Sequence, residues 1–170
     1  SVPLGSSYAL GIVVHGVQNE TTLYFAKLSE VHDASVPWRK LLDVADEVTS
    51  FDIHGDNLYL VSHHNASRFK VLRLTLPDGN INSAEVVITP SEAVVTALGV
   101  AADAVYIQKL DGGLGRLWRL PFEGGAASEI KLPFDGAIQE MFTNPAEAGV
   151  YVSAASWTKS PVFLHYDPKT

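Results

Sequence analysis

The chain has 170 residues, of which 46% are apolar and 18% charged, and its 12 Lys and Arg against 19 Asp and Glu leave a formal charge of −7. Those proportions are globular and exclude a disordered chain. The negative balance, with no basic run, removes the attraction that nonspecific binding to nucleic acid or an anionic membrane needs. Cysteine is absent, which excludes disulfides, thiolate nucleophiles and cysteine-based metal centres but leaves cytoplasm and periplasm equally open. No apolar stretch approaches the ~20 residues of a membrane-spanning helix, and no secretion signal is visible from Ser1 to Leu10. The abrupt ends, Ser1-Val2-Pro3 and Asp167-Pro168-Lys169-Thr170, read as those of an excised piece.

In chain order, short β-branched and aromatic runs bounded by Gly, Asn, Asp and Pro predict strands. The first is Leu23-Tyr24-Phe25-Ala26-Lys27-Leu28. From Trp38 to Val48 apolar residues fall at 38, 41, 42, 45 and 48, a spacing as consistent with a short helix as with a strand. Strands follow at Asn57 to Ser62 and Phe69 to Leu74. Ser91 to Val105 is rich in Ala, but the β-branched Val94, Val95, Thr96 and Val100 and the interruption at Gly99 favour a strand. Further strands are expected at Val105 to Lys109, Arg116 to Leu120 and Gly149 to Ser153. Asp78-Gly79-Asn80, Asp111-Gly112-Gly113 and Glu123-Gly124-Gly125 supply turn chemistry suited to hairpins.

A repeat emerges when these strands are superposed. Leu58-Tyr59-Leu60, Val105-Tyr106-Ile107 and Val150-Tyr151-Val152 advance by 47 and 45 residues. The openings of the following strands, at Arg68, Arg116 and Val162, advance by 48 and 46. Leu23-Tyr24-Phe25 with Leu28 fits the closing half of an earlier unit. A period in the forties with about four strands per unit marks the blade of a β-propeller, and the strand character excludes helical repeats. A β-sandwich is the competing architecture, but it does not require the repeat. The expectation is therefore all-β: a partial β-propeller of about three and a half four-stranded antiparallel blades, with blade-like units at approximately 5–47, 48–92, 93–136 and 137–170.

The stretch from Val48 to Leu74, VTSFDIHGDNLYLVSHHNASRFKVLRL, resembles a blade of the propeller domain of prolyl oligopeptidases. Three further stretches are similar in the right order: Tyr106 to Leu110 followed by Gly115 to Leu120, Ala155 to Phe163, and Tyr166 to Thr170. The resemblance covers roughly residues 5–170 but only the middle of that domain. It implies a seven-bladed propeller joined to an α/β-hydrolase domain with a Ser, Asp and His triad, a parent that cuts short proline-containing peptides, and a propeller that gates access to the active site. No triad residue carries over, and no Gly-x-Ser-x-Gly nucleophile elbow occurs in the chain; Gly5-Ser6-Ser7 lacks the second Gly. The piece alone is expected to be noncatalytic and to need no cofactor.

In the family the loop matching His15-Gly16-Val17-Gln18-Asn19-Glu20 borders the substrate cavity, with an Arg and a Cys where this chain has Val14 and Val17. Val14, Val17 and Gln18 are thus the substrate-cavity candidates, with an apolar departure at two of them. Trp157, in a polar loop before Pro161, is the candidate for an interdomain contact. Trp118 is expected to fill space between neighbouring blades.

Other constellations read as structural. His63-His64 with His54, Asp52 and Asp56 could suggest a metal cluster, but adjacent residues on a strand or loop are expected to point opposite ways, so solvated loop histidines are favoured and no metal site is expected. Asp43, Asp46 and Glu47 read as an exposed acidic face rather than an acid–base pair. The acceptor patterns Asn19-Glu20-Thr21 and Asn65-Ala66-Ser67 read as surface turns.

The leading expectation is a gating fragment of a prolyl oligopeptidase-like serine peptidase, its partners the parent's hydrolase domain and a short peptide substrate, with open blade edges inviting self-association. The alternatives are a noncatalytic propeller that binds a protein and a small β-sandwich hydrolase.

Overall fold

The computed structural model describes residues 1–32 and 35–170. They form two compact units, Ser1–Thr89 and Pro90–Thr170.

In the N-terminal unit β1 (Tyr8–Val14), β2 (Thr21–Lys27) and β3 (Arg39–Leu42) form one antiparallel sheet in chain order, and β4 (Val48–His54), β5 (Asn57–Ser62), β6 (Lys70–Thr75) and β7 (Glu85–Ile88) form a second. Alternation along β5 and β6 places Leu58, Leu60, Leu72 and Leu74 on one face. They pack with Tyr8, Leu10, Leu23, Phe25 and Leu42 of the first sheet into a shared core closed by Val48 and Ile53. Register is held by cross-strand pairs such as Leu58↔Leu74 and Leu60↔Leu72, since a slip of one residue would turn these leucines out of the core.

The stretch from Trp38 to Val48 is not an α-helix. It is β3 followed by a single 3-10 turn at Val44–Asp46. Asp43 ends the strand and caps the turn: its Oδ1 accepts from Val44 N at 2.8 Å, while Asp46 Oδ2 accepts from Asp43 N at 2.7 Å. Glu47 then takes a left-handed conformation, φ 53°, which starts β4. The helix-like spacing arose because Leu42 and Val48, core residues of two successive strands, are separated by one tight turn.

In the C-terminal unit β8 (Val94–Val100), β9 (Ala104–Asp111), β10 (Leu114–Pro121) and β11 (Ser128–Ile130) make a four-stranded antiparallel sheet. The strands β12 (Ala137–Phe142), β13 (Val150–Ser156) and β14 (Lys159–Tyr166) make a three-stranded one. The Ala-rich stretch is therefore a strand, as its β-branched residues require. Ala101, Ala104, Tyr106, Leu117, Ile138, Val150 and Val152 form the core between the two sheets. The sheets approach closely at Gly115, whose N–H donates to Gly136 O at 2.7 Å; a Cβ there would lie 2.6 Å from Ile138 N. Trp118 is half-buried and carries the Lys109 ammonium 4.4 Å above its ring, a cation–π contact between adjacent strands. Lys109 is itself buried, and that burial lowers its pKa.

The sequence repeat is the sheet repeat. Tyr59, Tyr106 and Tyr151 lie on β5, β9 and β13, each the second strand of its sheet in chain order. The earlier unit marked by Leu23-Tyr24-Phe25 supplies three strands, with β1 and β2 corresponding to β5 and β6.

Candidate functional site

The turns that join β1 to β2, β5 to β6, β9 to β10 and β13 to β14 hold the same place in their own sheets. In antiparallel order the connection leading into each next sheet emerges at that same end.

In the N-terminal unit this end gathers residues 15–20, 43–47 and 63–69. Gly16, at φ 62°, permits the tight reversal after β1, and Gln18 N donates to His15 O at 3.1 Å to close it. Val14 is largely exposed at the end of β1, and Val17, at 101% relative exposure, projects from the tip beside the exposed Gln18. The three cavity candidates thus share one hairpin, two of them offering apolar surface to solvent.

His63 braces that hairpin. Its Nε2 lies 2.9 Å from Glu20 Oε1, its Nδ1 3.9 Å from Glu47 Oε2, and its ring packs edge-on to Phe69. His64 Nδ1 lies 3.2 Å from the same Glu47 oxygen. The expectation that these adjacent histidines diverge is corrected here. The chain leaves β5 at Ser62, so strand alternation no longer applies, and the Glu47 carboxylate sits between both rings. The His63 hydrogen bond and a backbone hydrogen bond hold the Glu20 carboxyl below its ordinary value. Beside them Asp43 is lowered chiefly by Lys40, and His15 Nε2 lies 2.8 Å from Thr22 Oγ1. Asp43, Asp46 and Glu47 therefore build a turn and a brace rather than a bare acidic face.

The wider histidine constellation does not assemble. His54 and Asp56 flank the β4–β5 hairpin, at the end of β5 opposite His63, and Asp56 Oδ1 accepts from Ser7 N at 2.8 Å and Ser6 Oγ at 3.1 Å. Among the described residues no group of three His, Asp or Glu is arranged to hold a metal ion. Ser62 Oγ donates to Asp46 O and accepts from the His64 backbone N–H, not from its ring, so this serine is not paired with a general base.

In the C-terminal unit Trp157 occupies the two-residue β13–β14 turn, between Ser156 and Lys159, which are paired across it. It is 105% exposed. At its foot a cavity of about 460 Å³ is lined by Gly113, Leu114, Gly136, Ala137, Gln139 and Ala155, and Lys159 Nζ lies 4.6 Å above the Phe134 ring. Trp157 belongs to a different unit from the Val14, Val17 and Gln18 hairpin. Glu20 and Glu47 were missed as members of the site, although Glu20 lies in the His15–Glu20 loop; pairing across 43 residues leaves no trace in local sequence. Gln139 and Phe134 carry no sequence signal of their own.

Antiparallel sheets of three or four strands, generated by one repeat and carrying exposed apolar turns without a nucleophile–base pair among these groups, define this as a β-propeller blade array. A family model of the prolyl oligopeptidase N-terminal β-propeller domain matches residues 8–170, and the chain belongs to that family. Among solved structures, one from a mechanistic study of two prolyl endopeptidases is 21% identical, with a TM-score of 0.79, and the match covers 96% of this chain and 24% of that one. Prolyl oligopeptidase B from Galerina marginata, in its apo form, is 15% identical with a TM-score of 0.78, over 96% of this chain and 23% of that one. The same enzyme bound to a 35mer hydrolysis and macrocyclization substrate gives 16% and 0.76. The chain thus spans about a quarter of the length of these structures. No curated protein matches it in sequence.

Proposed function

We propose that this chain is the noncatalytic gating portion of a prolyl oligopeptidase-type serine peptidase, and that the blade-like units 5–47, 48–92, 93–136 and 137–170 present their turn ends to the hydrolase domain and to a short proline-containing peptide. The observation that carries the reading is the full exposure of Val17 and Trp157, large apolar side chains at the same turn of their respective sheets. Loop tips held by a rigid sheet are where binding residues concentrate. Val14, Val17 and Gln18 border the peptide's path in this reading, and Trp157 meets the hydrolase domain. The apolar tips favour an uncharged peptide segment over a charged one.

Incubating the purified 170-residue chain with a chromogenic prolyl peptide should give no turnover, while the full-length gene product cleaves it. In the latter, Val17→Glu should raise KM with the chain still folded. Cleavage by the 170 residues that a serine-directed inhibitor blocks, or an unchanged KM for the variant, would sink the reading.

Two exposed faces favour a second property, self-association. In the N-terminal unit Val13 and Trp38 are exposed, with the Trp38 ring against Gly11 on the same face; in the C-terminal unit Phe142, Tyr151 and Phe163 are exposed. Light scattering at micromolar concentration should show species larger than a monomer, and a strict monomer would refute it.

A further inference from the structure

In the C-terminal unit the repeat sets buried and exposed residues in equivalent places. On the β8–β11 sheet Tyr106 pairs with Arg119 and Leu117 with Gln108; on the β12–β14 sheet Tyr151 pairs with His165 and Phe163 with Ser153. The registers coincide, so Tyr151 stands where Tyr106 does and Phe163 where Leu117 does. Tyr106 and Leu117 are buried against Ile138, Val150 and Val152 of the following sheet. Tyr151 and Phe163 are instead 48% and 72% exposed. Phe142 lies beside Tyr151 across the strands, and the His165 ring stacks on Tyr151 at 4.2 Å. The repeat thus shows what such a face takes: the receiving face of another sheet of the same kind.

The N-terminal unit exposes a receiving face. Tyr8, Leu10, Leu23 and Phe25 of the β1–β3 sheet pack with the β4–β7 sheet, so alternation turns Gly11, Val13 and Tyr24 to the other side. There the Trp38 ring lies against Gly11, and together with Val13 and Tyr24 they line an apolar groove of about 290 Å³. We propose that these two faces are the halves of one contact: the Tyr151–Phe163 face of one copy of this chain seats on the Gly11–Trp38 face of a second copy, sheet on sheet.

Unlike faces fit and like faces do not. Phe142, Tyr151 and Phe163 stand proud of their sheet, and two such faces would meet ring on ring and hold the sheets apart. Two grooves would leave each other unfilled, and an unfilled void forfeits the contacts of the atoms that line it. A ring from Phe163 seated beside Trp38 fills the groove at the ordinary sheet-to-sheet spacing of about 10 Å and takes both aromatic surfaces out of water. Such a contact is heterologous, so copies close into a ring or extend head to tail. The proposal rests on the self-association stated above, to which it gives a direction, and is independent of the peptidase reading.

Sedimentation velocity of the 170-residue chain and two variants at micromolar concentration tests it. Val13→Glu disables one half and Phe163→Glu the other, and both positions are exposed, so the circular dichroism of each should match the parent. Each variant alone should associate at least about tenfold more weakly than the parent, because the contact would bury an unpaired carboxylate. Mixed in equal amounts, the two should form a dimer and stop there, since the Val13→Glu copy keeps the Phe163 half and the Phe163→Glu copy keeps the Val13 half. Trp38→Gln or Tyr151→Gln replaces whichever variant does not fold. A monomeric parent chain would overturn self-association and this contact together. An associating parent whose variants still associate alone, or stay monomeric when mixed, would overturn the pairing of unlike faces and leave self-association standing.

Discussion

The Asp103 carboxylate accepts the Gly149 N–H at 2.9 Å, tying the β8–β9 connection to the start of β13 in the neighbouring sheet. The other carboxylate oxygen of Asp103 receives Tyr106 OH and the Arg119 guanidinium, each at 2.9 Å. One repeat earlier Asp56 does the corresponding work, accepting from Ser7 N, at the start of β1, at 2.8 Å. An Asp at the mouth of a blade's second strand is thus a sheet-to-sheet fastener in each unit, reaching the backbone N–H next to the matching strand. Burial opposes ionisation of Asp103, but the hydrogen bonds from Gly149, Arg119 and Tyr106 outweigh it and keep the carboxyl below its ordinary 3.8. Tyr106 is correspondingly raised, by burial first and then by Asp103.

Asp103→Ala leaves a partly buried guanidinium, a hydroxyl and an N–H without their acceptor. It should cost about 2–4 kcal/mol at pH 7 by denaturant titration. Because the folded pKa is depressed, the contribution is full above about pH 4 and disappears as pH falls through the folded value. The gap between parent and variant should therefore narrow on acidification toward pH 2; a constant gap would show that the carboxylate's charge is not what matters.

Gly115→Ala tests the close approach of the two C-terminal sheets. The added Cβ meets the backbone N of Ile138 at 2.6 Å, and a backbone atom cannot rotate away as a side chain can. The expected loss is about 1–3 kcal/mol, with the midpoint of unfolding shifted to lower denaturant. No shift would mean that the sheets separate freely there.

Leu60→Ala should cost about 2–5 kcal/mol, because Leu60 is fully buried at the centre of the core shared by the two N-terminal sheets. Val86→Ala, at an exposed position on the edge strand β7, should change stability by less than about 0.5 kcal/mol. Denaturation curves of the two variants side by side check the ranking.

Trp157→Ala should leave the stability of the 170-residue chain within about 0.5 kcal/mol, since its side chain is fully exposed. In the longer protein of the proposed function, the same substitution should lower kcat/KM for a prolyl peptide several-fold if Trp157 meets the hydrolase domain. Equal kinetics for parent and variant would remove Trp157 from the interface.

Strand identity was legible where side chains alternate under a local rule. Lys70 to Leu74 and Val105 to Lys109 read as strands because their β-branched and aromatic residues suit a pleated surface. Trp38 to Val48 misled because a strand, a capped 3-10 turn and the start of the next strand sum to a helical spacing, and the Asp43 cap that separates them is a matter of hydrogen bonds, not periodicity. Val14, Val17 and Gln18 are candidates drawn from resemblance to related propellers; the brace behind them, Glu20 to His63 and Glu47 to His64, joins segments far apart in the chain and leaves no local signal.

By itself the sequence determined the all-β class, the blade repeat with its period in the forties, and the absence of any cysteine chemistry. These depend on residue type and spacing, which act over one strand or one turn. Only the tertiary structure decided which polar groups meet: Asp103 with Gly149, Asp56 with Ser7, and one Glu47 carboxylate with two histidines. Hydrogen bonds and ion pairs reach only about 3–4 Å, so they are set by how sheets pack, and that packing brings together residues no local pattern connects.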